Sequence, residues 1–179
     1  MKKIFLSLLV LFSLVGCGMD TPSKSVEQYL SGYNNLIEDI LTDIETTVLS
    51  ENINEDNKNL YRDILKRQYK DLKYEIKDEE INGDDAVVKV TVSVYDYNKV
   101  DKDAFEYMNS HMNEFNDETN NFSNDMYYKY KFDLMNKTSD KVDYDLVFKL
   151  HKTNDMWVLE QPDRETLEKL NGFYKYEND

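Results

Sequence analysis

Residues 72–94 read LKYEIKDEEINGDDAVVKVTVSV, and this stretch decides the fold. Leu72, Tyr74 and Ile76 alternate with Lys73, Glu75 and Lys77. Beyond Asn82-Gly83-Asp84, the residues Ala86, Val88, Val90, Val92 and Val94 alternate with Lys89, Thr91 and Ser93. A period of two sends successive side chains to opposite faces, so each half is a strand with one apolar face. β-branched residues on both sides of an Asn-Gly-Asp turn read as an antiparallel hairpin.

The same signal recurs later. Val142, Tyr144, Leu146, Phe148 and Leu150 alternate with polar residues, Thr153-Asn154-Asp155 turns the chain, and Met156-Trp157-Val158-Leu159-Glu160 returns it. Elsewhere the period is helical. Thr21-Pro22 is a cap followed by proline at the first helical position. From Val26 to Val48 the apolar residues Tyr29, Leu30, Tyr33, Leu36, Ile37, Ile40, Leu41 and Ile44 recur at steps of three and four, predicting one long helix over 21–48. After a polar loop over 50–57, Leu60, Tyr61, Ile64, Leu65 and Tyr69 predict a second, shorter helix.

Between the hairpins, Phe105, Met108, Met112, Phe115, Phe122 and Met126 form a helical stripe. Asn, Asp, Ser and Thr interrupt it between 116 and 124, and these residues favour caps over helix interiors. Two helices are predicted there, over 101–116 and 123–136, with a last short one from Arg164 to Asn171 closed by Gly172. The stripe is expected to pack on the sheet, which puts Met112 in the core; the alternative is a partly exposed groove for a partner. Strands grouped in hairpins rather than alternating singly with helices predict an α+β fold. The expectation is a curved antiparallel sheet of about four strands on a long N-terminal helix, with a helical insertion between the hairpins.

The N-terminus carries an address. Met1-Lys2-Lys3 is followed by an uncharged run, and Ile4 to Gly16 is thirteen residues, too short for the roughly 20 that span a bilayer but suited to a signal peptide. Leu14-Val15-Gly16-Cys17 resembles the lipobox of bacterial lipoproteins, in which the cysteine is thioether-linked to diacylglycerol before cleavage at its amine side. Cys17 is the only cysteine of the chain, so it has no intramolecular disulfide partner. The expected division is a signal peptide over 1–16, a lipidated tether over 17–20, and a single α+β domain over 21–179. The expected location is the outer face of the cytoplasmic membrane, held there by lipid on Cys17.

The lipobox, the Thr-Pro-initiated helix, the Asn-Gly-Asp hairpin and the Asn154-Asp155-Met156-Trp157-Val158 hairpin together resemble the uncharacterised lipoproteins of low-GC Gram-positive bacteria. Their domains are similar to nuclear-transport-factor-two-like and cystatin-like cones, in which a curved sheet wraps a helix. The resemblance covers most of residues 21–160. It implies a fold and no reaction.

Composition narrows the function. The 179 residues carry a formal charge of −14; without Lys2 and Lys3 the balance is 20 basic against 36 acidic side chains, or −16. With three arginines in all, the chain lacks the clustered cations that displace counterions from nucleic acid or attract anionic lipid. Apolar residues at 40% and aromatics at 13% are too many for a disordered acidic tail.

His111 and His151, the only histidines, have no partner at metal-ligand spacing and are expected on the surface. Acidic pairs at Asp84-Asp85, Asp101/Asp103, Asp117-Glu118 and Asp143/Asp145 do not spell a calcium loop and read as solvated surface. No nucleophile elbow, P-loop or Rossmann glycine pattern occurs, so no catalytic residue, metal or cofactor is expected. Tyr29, Tyr33, Tyr74, Tyr144 and Trp157 are the residues that would line a cavity between helix and sheet, with core packing as their ordinary fate. Three functions remain. The first is a lipid-anchored binding module for an envelope protein, peptide or glycan. The others are a cavity enzyme of the isomerase or dehydratase kind, and an immunity lipoprotein acting by protein contact.

Overall fold

A computed structural model describes residues 21–176. The hairpin of residues 72–94 is formed by β1 (Lys73–Asn82) and β2 (Asp85–Tyr95), paired antiparallel from Lys73 opposite Ser93 to Asn82 opposite Asp85. Gly83 sits at the turn with φ +65°, a conformation that costs glycine nothing. One irregularity, between Ile76 and Asp78, has a consequence. The bulge at Lys77 shifts the alternation, so Asp78 and Glu80 come to flank Lys89 as ion pairs at 3.0 and 2.7 Å. Glu79 then turns the other way and accepts a hydrogen bond from the Ser23 amide at 2.8 Å.

β3 (Lys141–Thr153) and β4 (Met156–Leu159) make the second hairpin. Asn154 and Asp155 both take positive φ there, as a two-residue turn matched to strand twist requires. β3 returns beside β2, from Asp85 opposite His151 to Tyr95 opposite Lys141, so the sheet order is β1-β2-β3-β4. Ala86, Val88, Val90, Val92 and Val94 with Tyr144, Leu146, Phe148 and Leu150 are buried on one face. Asp143, Asp145 and Lys149 stand exposed on the other. Burying each large aliphatic or aromatic side chain contributes about 1.5–3 kcal/mol, and that face is where most of the core lies. Among the described residues the fold is α+β, with an open four-stranded antiparallel sheet and six helices.

The N-terminal helix is not the single rod expected. It breaks into α1 (Pro22–Asn35) and α2 (Glu38–Ser50) at Leu36, which adopts a left-handed φ of 48°. That conformation costs an L residue roughly 1–2 kcal/mol, and two sets of bonds offset it. The Leu36 and Ile37 amides donate back to Tyr33 and Gly32 carbonyls at 3.1 and 3.2 Å, satisfying the end of the helix. Asn34 Nδ2 donates to the carbonyls of Tyr69 and Leu72, both at 2.9 Å, and so ties the break to a distant segment. At the other end the expected cap holds: Thr21 Oγ1 accepts from the Lys24 amide at 3.2 Å.

α3 (Glu55–Lys70) begins five residues before Leu60 because Asn54 caps it. α4 (Tyr97–Ser110) begins before the expected Asp101, because the Asp96 carboxylate accepts from the Lys99 amide at 2.9 Å. It ends at Ser110, a single 3-10 turn follows over Met112–Phe115, and α5 runs from Asn124 to Lys137. α6 (Arg164–Asn171) closes at Gly172, whose φ is +75°. These helices bury a second cluster, in which Ile64 of α3, Tyr97 and Val100 of α4, and Phe132 and Met135 of α5 meet.

The two clusters join at the end of β2. Gln68 is buried there; its Nε2 donates to the Tyr95 carbonyl at 3.1 Å and its Oε1 accepts from the Tyr95 amide at 2.8 Å, in the manner of a strand neighbour. Arg67 donates to the carbonyls of Met135, Asn136 and Thr138 at 2.7–3.0 Å and so caps α5. The starts of α3 and α5 meet where the Asn54 amide and Asn57 Nδ2 donate to Asp125, so the two helices run side by side. Among the described residues, no helix is long and apolar enough to cross a membrane.

Candidate functional site

The five aromatic residues expected to line a cavity do not share one among the described residues. Tyr29 and Tyr33, one turn apart on α1, come together, with hydroxyls 2.8 Å apart and rings edge to face at 5.3 Å. Tyr33 meets Tyr69 at 4.9 Å and Tyr29 meets Phe148 at 5.8 Å, again edge to face, the favoured arrangement for aromatic quadrupoles. Burial, the largest cause, pushes the phenols of Tyr29, Tyr33 and Tyr69 above their ordinary value. These rings fill the space between helix and sheet. Tyr144 lies elsewhere, buried against the edge of Tyr174 at 5.7 Å. Tyr74 is half-buried beside a shallow groove lined by Gly32 and Ile37. Trp157 is half-buried against the core, and its carbonyl accepts from Ser25 Oγ at 3.0 Å.

A buried carboxylate is present at Asp96, but it is engaged: it caps α4 and accepts from the Tyr176 hydroxyl. Burial, then the bond to Asp96, pushes the Tyr176 phenol up to about 12. No described cavity is lined by Asp96.

Exposed apolar side chains occur on α2 and on the sheet as well as along the helical insertion. Phe105 is 52% exposed, Met112 51%, Phe122 41% and Met126 42%, whereas Met108 is 9% exposed and Phe115 is buried. The expected packing of this stripe on the sheet is therefore corrected. α4 buries Tyr97, Val100, Ala104 and Met108 at steps of three and four; Phe105 falls off that face, and Met112 lies beyond the end of the helix, in the 3-10 turn. Phe115 is the hub: Tyr127 and Tyr130 meet it edge-on at 5.8 and 5.5 Å, with Tyr107 and Phe122 at 6.4 and 6.5 Å. Tyr107 stacks on Tyr130 at 5.0 Å and on His111 at 4.0 Å. The hydrogen bond that Tyr107 donates to Glu114 at 2.9 Å is the first cause of its raised pKa.

The loop behind this hub is held rigidly. Asp117 Oδ1 accepts from the Thr119 amide, the Thr119 hydroxyl and the Asn121 amide at 2.7–3.0 Å; the Thr119 bond is the leading cause of its lowered pKa. Asn116 bridges to Phe122, and the Ser123 amide donates to the Phe115 carbonyl at 2.7 Å. Alongside, a groove of about 460 Å³ opens between α4 and α5, with Val100, Leu134, Tyr107 and Tyr130 as its apolar lining. Lys99, Asp103, Lys137 and Asp140 are the charged residues around it. That volume falls within the range of ligand sites.

No family model matches the sequence, and no curated protein does. A crystal structure of YcdA, a candidate lipoprotein of Bacillus subtilis, is similar at a TM-score of 0.47 and 13% identity, over 88% of this chain and 57% of that one. The chain thus spans a little over half the length of that protein.

His111 and His151 are exposed, as expected, though His111 is stacked rather than isolated. Among the described residues, no three His, Cys, Asp or Glu side chains gather as a metal would need. Sequence reasoning missed Tyr107, Tyr127 and Tyr130, the ring around Phe115. The signal that could have found them is the spacing Tyr127, Tyr130, Leu134 on α5, read against Tyr107 on α4. Cys17 lies outside the described residues.

Proposed function

We propose that the chain is a lipid-anchored extracytoplasmic binding module that presents the end of its helical insertion to a partner in the cell envelope. The observation that carries this reading is the contrast in cover: the interior between α1 and the sheet is filled by Tyr29, Tyr33, Tyr69 and Phe148, while Phe105 of α4, Met112 of the 3-10 turn, Phe122 of the hydrogen-bonded loop and Met126 of α5 are exposed. A rigid, exposed apolar surface is favoured for binding, because little ordering entropy remains to be lost.

The topology supports the orientation. Thr21 lies at the hairpin-turn end of the sheet, where Ser23 bonds Glu79 and Ser25 bonds the Trp157 carbonyl. The insertion leaves from the opposite end, after Tyr95. The ten residue steps between those ends correspond to about 33 Å. With lipid on Cys17, four residues before Thr21, Thr21 would lie within about 14 Å of the bilayer, and the insertion would leave from the far end of the sheet. The lipobox supports a location at the outer face of the cytoplasmic membrane, and the resemblance to lipoproteins of low-GC Gram-positive bacteria supports a Gram-positive cell. A protein-contact immunity role is the same module seen from its partner. The filled interior weighs against the cavity enzyme.

The test is a photo-crosslinking amino acid placed in living cells at Met112 or, as a control, at exposed Val147 on the outer face of β3. Adducts from position 112 that are missing from position 147 are expected. No adduct from 112, or the same adducts from both, overturns the reading. Anchoring is tested separately: Cys17→Ala is expected to lose acyl-label incorporation and stay unprocessed.

A further inference from the structure

We infer that the acidic, Phe- and Met-bearing end of the insertion takes a cationic amphipathic peptide segment, one with an apolar stripe flanked by Lys or Arg. The inference rests on the binding-module reading above and names the chemistry of the partner. Between Asp101 and Met126 there are seven acidic side chains and a single Lys or Arg, Lys102. Lys102 is occupied, since its Nζ donates to the Tyr176 carbonyl at 3.1 Å.

Several of the carboxylates are used locally. Asp101 pairs with Lys131, Glu114 accepts from Tyr107, Asp117 holds its own loop and Asp125 accepts from the Asn54 amide. Glu106 and Glu118 remain exposed, with no ion pair or side-chain hydrogen bond among the described residues; Asp103, equally exposed, stands on the groove side of α4 and away from Phe105. Phe105 and Met112 are exposed on the same short stretch. An apolar surface bordered by uncommitted negative charge is complementary to an apolar stripe bordered by positive charge, which steers encounter and selects against other partners.

The same charge disfavours the competing occupants. A second copy would bring two acidic ends together, and an anionic bilayer would repel them. Methionine suits a helical partner of variable side chains, because its flexible thioether adapts to different shapes. An amphipathic helix offers anchors three and four residues apart.

The full lipidated chain is placed in nanodiscs of zwitterionic lipid and titrated with a fluorescent amphipathic Leu/Lys helix of about five turns. A scrambled peptide of the same composition and empty nanodiscs serve as controls. Saturable binding of the amphipathic peptide is expected, stronger than that of the scramble and weakening as salt rises. Phe105→Ser/Met112→Ser and, separately, Glu106→Gln/Glu118→Gln are each expected to weaken it roughly tenfold or more. All four side chains are exposed; if the first pair should unfold the chain, as circular dichroism would show, the Gln pair decides. Equal binding of the scramble, equal uptake by empty nanodiscs, or unchanged affinity in the Gln variant overturns the inference. If the peptide fails while the crosslinks from position 112 persist in cells, only the cationic assignment falls. If the crosslinks are missing too, the binding-module reading falls with it.

Discussion

Two aromatic clusters in this protein are built alike and end differently. Between α1 and the sheet, Tyr29, Tyr33, Tyr69 and Phe148 meet edge to face and are covered on both sides. At the end of the insertion, Phe115 is met edge to face by Tyr127 and Tyr130, yet its neighbours Phe122, Met112 and Met126 stay exposed. Ring geometry is shared; what differs is a third layer. The first cluster has strands below and helices above, whereas the second has only α4, α5 and a short loop. An aromatic cluster is therefore core or display according to what covers it, and that is settled by topology rather than by the residues themselves.

The largest effect is expected where the two regions are joined. A Cβ at Gly172 would stand 2.1 Å from the Tyr95 carbonyl oxygen and 2.2 Å from Gln68 Nε2, at a positive φ. Gly172→Ala should therefore break the Gln68–Tyr95 pairing and cost more than about 4 kcal/mol, read as loss of the folded baseline in urea. A variant that unfolds like the parent would show that the junction is loose and that the two regions are not held in register.

Phe148→Ala should come next, at about 3–5 kcal/mol, because its ring is buried under Tyr29. Phe122→Ala, with the same atoms removed from an exposed rim, should stay well below that. Equal losses from both would erase the distinction between covered and displayed rings.

Burial raises phenols in both regions, Tyr127 and Tyr130 at the insertion included, and Tyr107 differs from them in its cause. Those of the covered cluster have folded pKa values above the ordinary 10.0 because burial disfavours the phenolate. An acid whose folded pKa is raised contributes stability fully present below its unfolded pKa and lost as pH rises through the folded value. Unfolding is thus expected to set in above pH 10. Tyr107 is raised chiefly by its bond to Glu114, so Glu114→Gln should lower the pH at which it ionises, followed by tyrosinate absorbance, without moving the urea midpoint. A shifted midpoint would mean that the tip is part of the core.

Much of the fold was legible in residues 72–94 and 142–159, where a period of two and Asn/Gly/Asp turns leave little choice of structure. The break at Leu36 was not, because its cause is Asn34 reaching carbonyls near residues 69–72, and no local signal encodes a distant acceptor. The start of α4 was readable in principle, since Asp96 caps it and Tyr97, Val100, Ala104 and Met108 keep helical spacing. The alternation running into Tyr95 masked it. Of the stripe from Phe105 to Met126, Phe105, Met108 and Met126 are in helices, Met112 and Phe115 in a 3-10 turn and Phe122 in a bridge, and the expected cover by the sheet was wrong. Spacing identifies a face, while cover depends on whether another element reaches it. Of the expected pocket, Tyr29 and Tyr33 meet while Tyr74 and Tyr144 lie apart, because strand residues and helix residues of similar chemistry were assigned to one cavity that the packing fills.

Met108 and Met112 form the sharpest pair, being the same residue type four positions apart on the expected stripe, 9% and 51% exposed. Urea unfolding of the two alanine variants, side by side, tests directly whether the end of the insertion is displayed rather than buried. Met108→Ala is expected to lose about 2–5 kcal/mol, and Met112→Ala to stay within about 0.5 kcal/mol of the parent. Comparable losses at both positions would place Met112 in the core and contradict the account.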